Sequence, residues 1–140
     1  MFDDLEGESV DNLSISGTDR SPDIDFNFQD NVFEIRGMCY LENVGEFFKP
    51  ILADFELHLE SLNGADIVFN FRMSYFNSTS ARQLVRILDK LDAAAERENT
   101  VTINWHHADD DDSMMEQGED LGDDIAHARF EIIEFSDSDT

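Results

Sequence analysis

Four consecutive small polar residues, Asn77-Ser78-Thr79-Ser80, stand between an apolar, strand-like run at 67–74 and a helical pattern, and arginines follow at 82 and 86. A strand that runs straight into a helix leaves the first helical N–H groups without internal partners, and the backbone dipole adds about half a positive charge there. Such an end attracts anions. The ordinary role of a Ser/Thr cluster at a helix start is capping, and Ser80 with Gln83 has the spacing of a capping box. Two features point further. From Ile67 to Leu88, twenty-two residues, there is neither Asp nor Glu, although the chain carries thirty-three acids. The same stretch holds Arg72, Arg82 and Arg86, three of its nine basic residues. Acids usually occupy a first helical turn because they complement the dipole. Arginine there becomes favourable when an anion such as a phosphoryl group is present. Arg82 and Arg86 lie one turn apart on one face. A phosphate on Ser78 or Thr79 would bring about −1.5 to −2 charges to these donors.

A second cluster, His106-His107-Ala108-Asp109-Asp110-Asp111-Asp112, joins imidazoles to carboxylates. A calcium loop starting at Asp109 would need glycine sixth, where Met114 stands, and glutamate twelfth, where Asp120 stands. Adjacent histidines on a strand also point to opposite faces. No defined metal site is expected; the run at 106–113 reads as a solvated acidic loop, with loose divalent-ion binding as the alternative. Beside it, Glu116, Glu119, Asp120, Asp123 and Asp124 form either a charged helix face or a docking surface for a basic partner. Glu42 reads as a capping acid before the first helix. The chain has no G-x-S-x-G elbow, Walker loop or H-E-x-x-H motif, and no histidine near Ser78 to act as its base, so a non-enzyme is expected.

The elements that hold these residues follow from periodicity. At 140 residues the chain predicts one domain with a real core, and its twelve phenylalanines suit one. A net charge of −24 disfavours nucleic acid as a ligand, since phosphate contacts need clustered cations. The single cysteine, Cys39, cannot form an internal disulfide, and no apolar run approaches the roughly 18 residues that span a bilayer. The N-terminus lacks the features of a secretion signal, so a cytoplasmic location is expected.

Residues 1–22 read as mostly flexible and 136–140 as an acidic tail, flanking a folded domain at 23–135. Alternation at 24–28 and 32–36 predicts a hairpin. Val44, Phe48, Ile51, Leu52, Phe55, Leu59 and Leu62 predict a helix, kinked at Pro50 or starting close to it and ended by Asn63-Gly64. A central strand at 67–73, a helix led by Ala81, Leu84, Val85 and Leu88, a strand at 100–105, a short helix at 114–125 and a strand at 129–135 complete the order. The fold class is α/β, β-β-α-β-α-β-α-β, with helices packed on one mixed sheet.

The motifs Gly17-Thr18-Asp19-Arg20-Ser21-Pro22, Tyr40-Leu41-Glu42-Asn43, Tyr75-Phe76-Asn77-Ser78-Thr79-Ser80, Asn104-Trp105-His106, the Asp109 to Asp112 run and Gly118-Glu119-Asp120, in this order, resemble the SiaC-type bacterial regulatory phosphoproteins. The resemblance covers about Leu13 to Phe135 and implies a domain similar to anti-sigma-factor antagonists, without a cofactor. It further implies phosphorylation by a dedicated protein kinase on the hydroxyl after the asparagine of Y-F-N, here Ser78, and removal by a metal-dependent protein phosphatase. In the family the unphosphorylated form binds and activates a diguanylate cyclase. This chain has serine then threonine where the family usually has threonine then serine, which keeps Thr79 as the alternative, and Leu41 stands where proline is common. Asn77, Ser80, Arg72, Arg82 and Arg86 are then the expected phosphate environment. Tyr75, Glu42, Asn43, Glu116, Glu119 and Asp120 are the expected partner-binding residues. The competing function is an acidic mimic of nucleic acid, or another protein-binding inhibitor, which accounts for the charge but not for the acid-free stretch.

Overall fold

The computed structural model describes residues 12–136. The expected behaviour of residues 1–11 and 137–140 therefore lies outside the described residues. Among the described residues six strands and three helices alternate after an initial meander: β1 (Leu13–Ile15), β2 (Asp23–Asn27), β3 (Val32–Cys39), α1 (Val44–Glu60), β4 (Asp66–Phe76), α2 (Ser78–Glu96), β5 (Thr100–Ala108), α3 (Asp112–Gly122) and β6 (Arg129–Phe135). The strands lie in the sheet in sequence order. β1, β2 and β3 pair antiparallel, and β3 through β6 pair parallel. Parallel neighbours joined by right-handed crossovers that always step in the same direction put every helix on one face. The sheet is thus mixed and covered by α1, α2 and α3 on one side.

The period-2 pattern decides which side chains face those helices. Phe33 and Ile35 of β3, Ile67, Phe69 and Phe71 of β4, and Val101, Ile103 and Trp105 of β5 are buried beneath them. Phe33, Phe55 and Phe69 meet with ring centroids 5.1–6.0 Å apart, and Phe69 continues through Phe71 to Trp105 at 4.5 and 5.3 Å. The uncovered face carries Glu34, Arg36, Asn70, Arg72, Asn104 and His106, tied by Arg36–Glu34 (2.6 Å), Arg72–Glu34 (3.0 Å), Asn104–Asn70 (3.0 Å) and His106–Asn70 (3.1 Å) contacts.

Several expectations are revised. Residues 13–22 were expected to be flexible, yet Leu13–Ile15 pairs along Ile24–Phe26 and adds a sixth strand. A three-residue edge strand is too short to register as alternation. After it, the Gly17–Pro22 loop closes through Thr18 N–H donating to the Ser21 carbonyl (3.0 Å) and Ser21 N–H donating to Thr18 Oγ1 (3.1 Å). A Cβ at Gly17 would lie 2.5 Å from that carbonyl, so only glycine fits. α1 begins at Val44 and runs through Pro50, which removes the bond that the Glu46 carbonyl would accept. The expected loop at 106–113 is overturned: β5 extends through His106 and His107 to Ala108, and α3 starts at Asp112.

Candidate functional site

β4 reaches the site through a change of phase. Its register with β3 pairs Gly37 with Met73 but Met38 with Tyr75, leaving Ser74 as an extra residue beside Gly37, whose φ is 103°. Such a bulge turns every later side chain to the other face. Ile67, Phe69, Phe71 and Met73 point inward at odd positions, whereas after the bulge Phe76 is buried against Trp105 and Tyr75 stands 48% exposed. Tyr75 there meets Tyr40 edge to face at 5.8 Å, and the Arg20 guanidinium lies 6.0 Å above the Tyr40 ring. Arg20 is held in place by its carbonyl, which accepts the Tyr40 N–H at 2.9 Å. In the sequence, Arg20 and Tyr40 stand out only as members of motifs; the signal for them was the pairing of two loops that are 20 residues apart.

Next comes the start of α2. Asn77 is extended and its Oδ1 accepts the Ser80 N–H at 2.9 Å, so the cap is Asn77 and not the expected Ser80–Gln83 box. Ser80 is fully buried and donates its hydroxyl to the Cys39 carbonyl at 2.9 Å. Gln83 is buried as well, and its Oε1 has no hydrogen-bond partner among the described residues. Asn77 N–H also reaches the Cys39 carbonyl (3.4 Å), so the start of α2 is clasped to the turn that leads into α1. Burial pushes the Cys39 thiol up, with bonds from Ser80 and Leu41 opposing, and a neutral thiol is a poor nucleophile.

Ser78 and Thr79 are exposed on the first turn. The Thr79 hydroxyl donates to Asn77 Oδ1 at 3.0 Å; the Ser78 hydroxyl makes no hydrogen bond among the described residues. The first turn of α2 has no acid. Arg82 and Arg86 are exposed on the same helix and make no ion pair among the described residues. Arg72 is in a different place: it lies on the uncovered face of β4 and is bound to Glu34. Its place in the sequence, six residues before Ser78, gave no warning that strand alternation would turn it away.

Glu42 and Asn43 are exposed where α1 begins, and Asn43 makes no side-chain cap. They border a cleft with Arg20, Leu41 and Phe47, so Glu42, Asn43, Tyr40 and Tyr75 are gathered around the ends of β3 and β4. Glu116, Glu119 and Asp120 are exposed on α3, which packs beyond β5 and forms a separate surface. His106 bonds Asn70 on the uncovered face, and His107 Nδ1 faces the Ala108 carbonyl, so the two imidazoles diverge. Among the described residues no cluster of His, Cys, Asp and Glu could hold a metal ion, and no helix is long and apolar enough to cross a membrane.

Comparison with known proteins gives this arrangement a family. The model of the "SiaC family regulatory phosphoprotein" matches residues 15–135. An uncharacterised protein of Pseudomonas aeruginosa is 26% identical over 114 residues, 81% of this chain and 90% of its own. The crystal structure of apo-SiaC from the same organism superposes with a TM-score of 0.80 at 27% identity, covering 89% of this chain and 99% of the other. SiaC in the crystal structure of the diguanylate cyclase SiaD with its activator SiaC superposes at 0.82 and 26% identity, covering 88% and 99%. With its fold and 121 consecutive residues matched, the chain belongs to the SiaC family of regulatory phosphoproteins.

Proposed function

We propose that this chain is a non-catalytic switch whose state is the charge on Ser78. The observation that carries this reading is an exposed, unbonded serine hydroxyl in the first turn of a 19-residue helix that has no acid in that turn and two unpaired arginines further along. In the reading, a protein kinase joins Ser78 Oγ to the γ-phosphorus of ATP, the bond to ADP breaks, and the hydroxyl proton passes to the kinase or solvent. The phosphoryl oxygens then meet the free N–H groups of the turn and Arg82, one turn away. A metal-dependent protein phosphatase reverses the step by hydrolysis. The output partner is a diguanylate cyclase, supported by the solved complex in which SiaC is the activator of SiaD. Its contact surface is the end of β3 and β4, with Tyr75, Glu42 and Asn43 beside Ser78, and the modification acts by changing the charge that this surface presents. Glu116, Glu119 and Asp120 offer a second, acidic contact, suited to a basic patch on the kinase or phosphatase. A cytoplasmic location follows from these partners.

Geometry also ranks the two hydroxyls. Thr79 must give up its bond to Asn77 to be modified, and Ser78 gives up nothing. Co-expression with the cognate kinase, followed by intact mass and peptide mapping, should place one phosphate on Ser78. It should vanish in Ser78→Ala and persist in Thr79→Ala; the reverse pattern moves the site to Thr79. Since Asn77 and not Ser78 is the cap, Ser78→Ala should cost less than about 0.5 kcal/mol and hold the protein in its partner-binding state.

A further inference from the structure

We infer that the outer edge of β6 takes up an extended basic segment of a partner protein as a further strand, whatever the state of Ser78. Among the described residues the sheet has two edges, β1 and β6. β1 is three residues long, too short to template another strand. β6 pairs with β5 over all seven of its residues, from Arg129 beside Thr102 to Phe135 beside Ala108. It has no lysine, proline or bulge, the devices that commonly blunt an edge.

The backbone of β6 decides what can dock. Successive residues of a strand turn their N–H and C=O groups to opposite edges. The Phe135 carbonyl accepts the Asp109 N–H at 2.8 Å and so points to β5, as do the polar groups of Ile133 and Glu131. Those of Phe130, Ile132 and Glu134 point the other way and make no hydrogen bond among the described residues. The side chains leave the edge equally open. Phe130, Ile132, Ile133 and Phe135 are all half-buried, whereas Phe69, Phe71, Ile103 and Trp105 on the inner strands are fully buried. Asp92 holds the three N–H groups just before β6, so the edge is fixed before anything binds. Free backbone donors and acceptors at every second residue, with apolar side chains on both faces, suit an extended chain.

Charge selects which chain. The cation of the strand, Arg129, is bound to Glu131 at 2.7 Å, and Glu134 is exposed. α3 packs over β5 and β6 and exposes Glu116, Glu119 and Asp120, and the exposed Asp123 and Asp124 follow it. A second copy of this chain would bring the same acids and a net charge of −24 to the contact, so the acids protect the edge against self-pairing. A strand that alternates lysine or arginine with apolar residues meets them with the opposite charge. Ser78 follows β4, two strands away, and at about 4.8 Å per strand its charge lies at least about 10 Å off, beyond the screening length of about 8 Å. The contact at β6 is therefore separate from the one that a phosphate there would alter.

The test uses the full chain in its native cell with the photo-crosslinker p-benzoylphenylalanine in place of Phe135, and in place of Leu57, exposed on α1, as control. Irradiation should join position 135, and not 57, to a partner segment in which lysine or arginine alternates with apolar residues. A segment without that alternation, a second copy of this chain, capture at both positions, or no crosslink would overturn the proposal. A synthetic peptide of the captured segment should then slow hydrogen exchange at the amides of Phe130, Ile132 and Glu134, which a contact through side chains alone leaves fast. N-methylation of the peptide amides that face β6 should abolish binding, and N-methylation along its other edge should not. Amides that stay fast, or binding that survives the first methylation, overturn the added strand. Glu134→Lys should weaken the peptide about fivefold, and a peptide with glutamate at the facing position should recover the loss; no recovery overturns the selection by charge. Wild type and Ser78→Asp should bind the peptide equally, and a loss in Ser78→Asp overturns the independence from Ser78.

Discussion

Two helices of this protein start in the same way and differ in charge. α2 follows β4 and α3 follows β5, at the same edge of the parallel part of the sheet. Each is capped by a side-chain oxygen that accepts the N–H three residues on: Asn77 from Ser80 at 2.9 Å, Asp111 from Met114 at 3.0 Å. At α3 the cap is an acid and Asp112 follows it in the first turn. At α2 the cap is neutral, the first turn holds no acid, and arginines come next. The dipole of α3 is therefore complemented by acids of the chain's own first turn, and that of α2 is not. The contrast within one sheet argues for function at α2 better than either helix would alone.

The largest way to break the comparison is to attack what α3 is built for. A Cβ at Gly118 would overlap the Trp105 ring, whose Nε1–H donates to the Met114 carbonyl at 2.9 Å. Gly118→Ala should therefore cost about 1–3 kcal/mol in urea unfolding, because a fully buried ring has nowhere to move. Because Gly118 is buried against Trp105 while Glu116, Glu119 and Asp120 are exposed, phosphorylation of Ser78 at a temperature where the variant is folded should be unchanged.

Cap removal should come next in size. Asn77→Ala and Asp111→Ala should each lose about 1 kcal/mol. Carboxamide and carboxylate exchanges separate the two ends. Asn77→Asp should stabilise by roughly 0.3–1 kcal/mol, and Asp111→Asn should destabilise by a similar amount, both diminishing with added salt. Equal and opposite effects would show that the ends differ only in charge. Loss of stability in Asn77→Asp would mean that α2 does not seek an anion.

Much of this contrast was legible in the chain, and the reasons for the misses are local. Three helices, five of the six strands and the mixed sheet follow from periodicity, because one face of each element is apolar. The acid-free stretch marked α2 as unusual for the same reason, since composition is visible without geometry. Phase was not visible: the bulge at Ser74 reverses which side chains of β4 are exposed, so Tyr75 comes to stand beside Tyr40 and Phe76 enters the core. The same alternation turns Arg72 toward Glu34, and the core claims Ser80 and Gln83, which spacing had offered as a capping box. Asp92 was missed entirely. Its carboxylate accepts the N–H groups of Ala126, His127 and Ala128 at 2.7–3.1 Å, thirty-four to thirty-six residues away, and so fixes the segment between α3 and β6.

A smaller effect compares added charge directly. Ser78→Asp should stabilise by about 0.3–1 kcal/mol, as an acid entering an empty first turn. Ser113→Asp, in the first turn of α3 beside Asp111 and Asp112, should give nothing or a slight loss, since the dipole is already complemented and like charges crowd. Similar gains at both positions would remove the distinction on which the switch reading depends.

The smallest effect concerns pH and a region with no part in the contrast, which makes it a control. Burial holds the His106 imidazole below its ordinary value of 6.5, with Arg72 adding to the effect and Glu34 opposing it. Burial does the same for His58. An unfolded chain protonates these groups near 6.5, while the folded one resists until lower pH. The stability they contribute is full above 6.5 and is lost as pH falls below it. Urea midpoints should therefore decline from pH 7.5 to 5.5, and His106→Asn should decline less steeply even if it is weaker throughout. The unphosphorylated start of α2 has no histidine, so the difference between Ser78→Asp and wild type should stay constant across this range. If that difference collapses together with the His106-dependent slope, the gain at Ser78 comes from the sheet and not from the helix end.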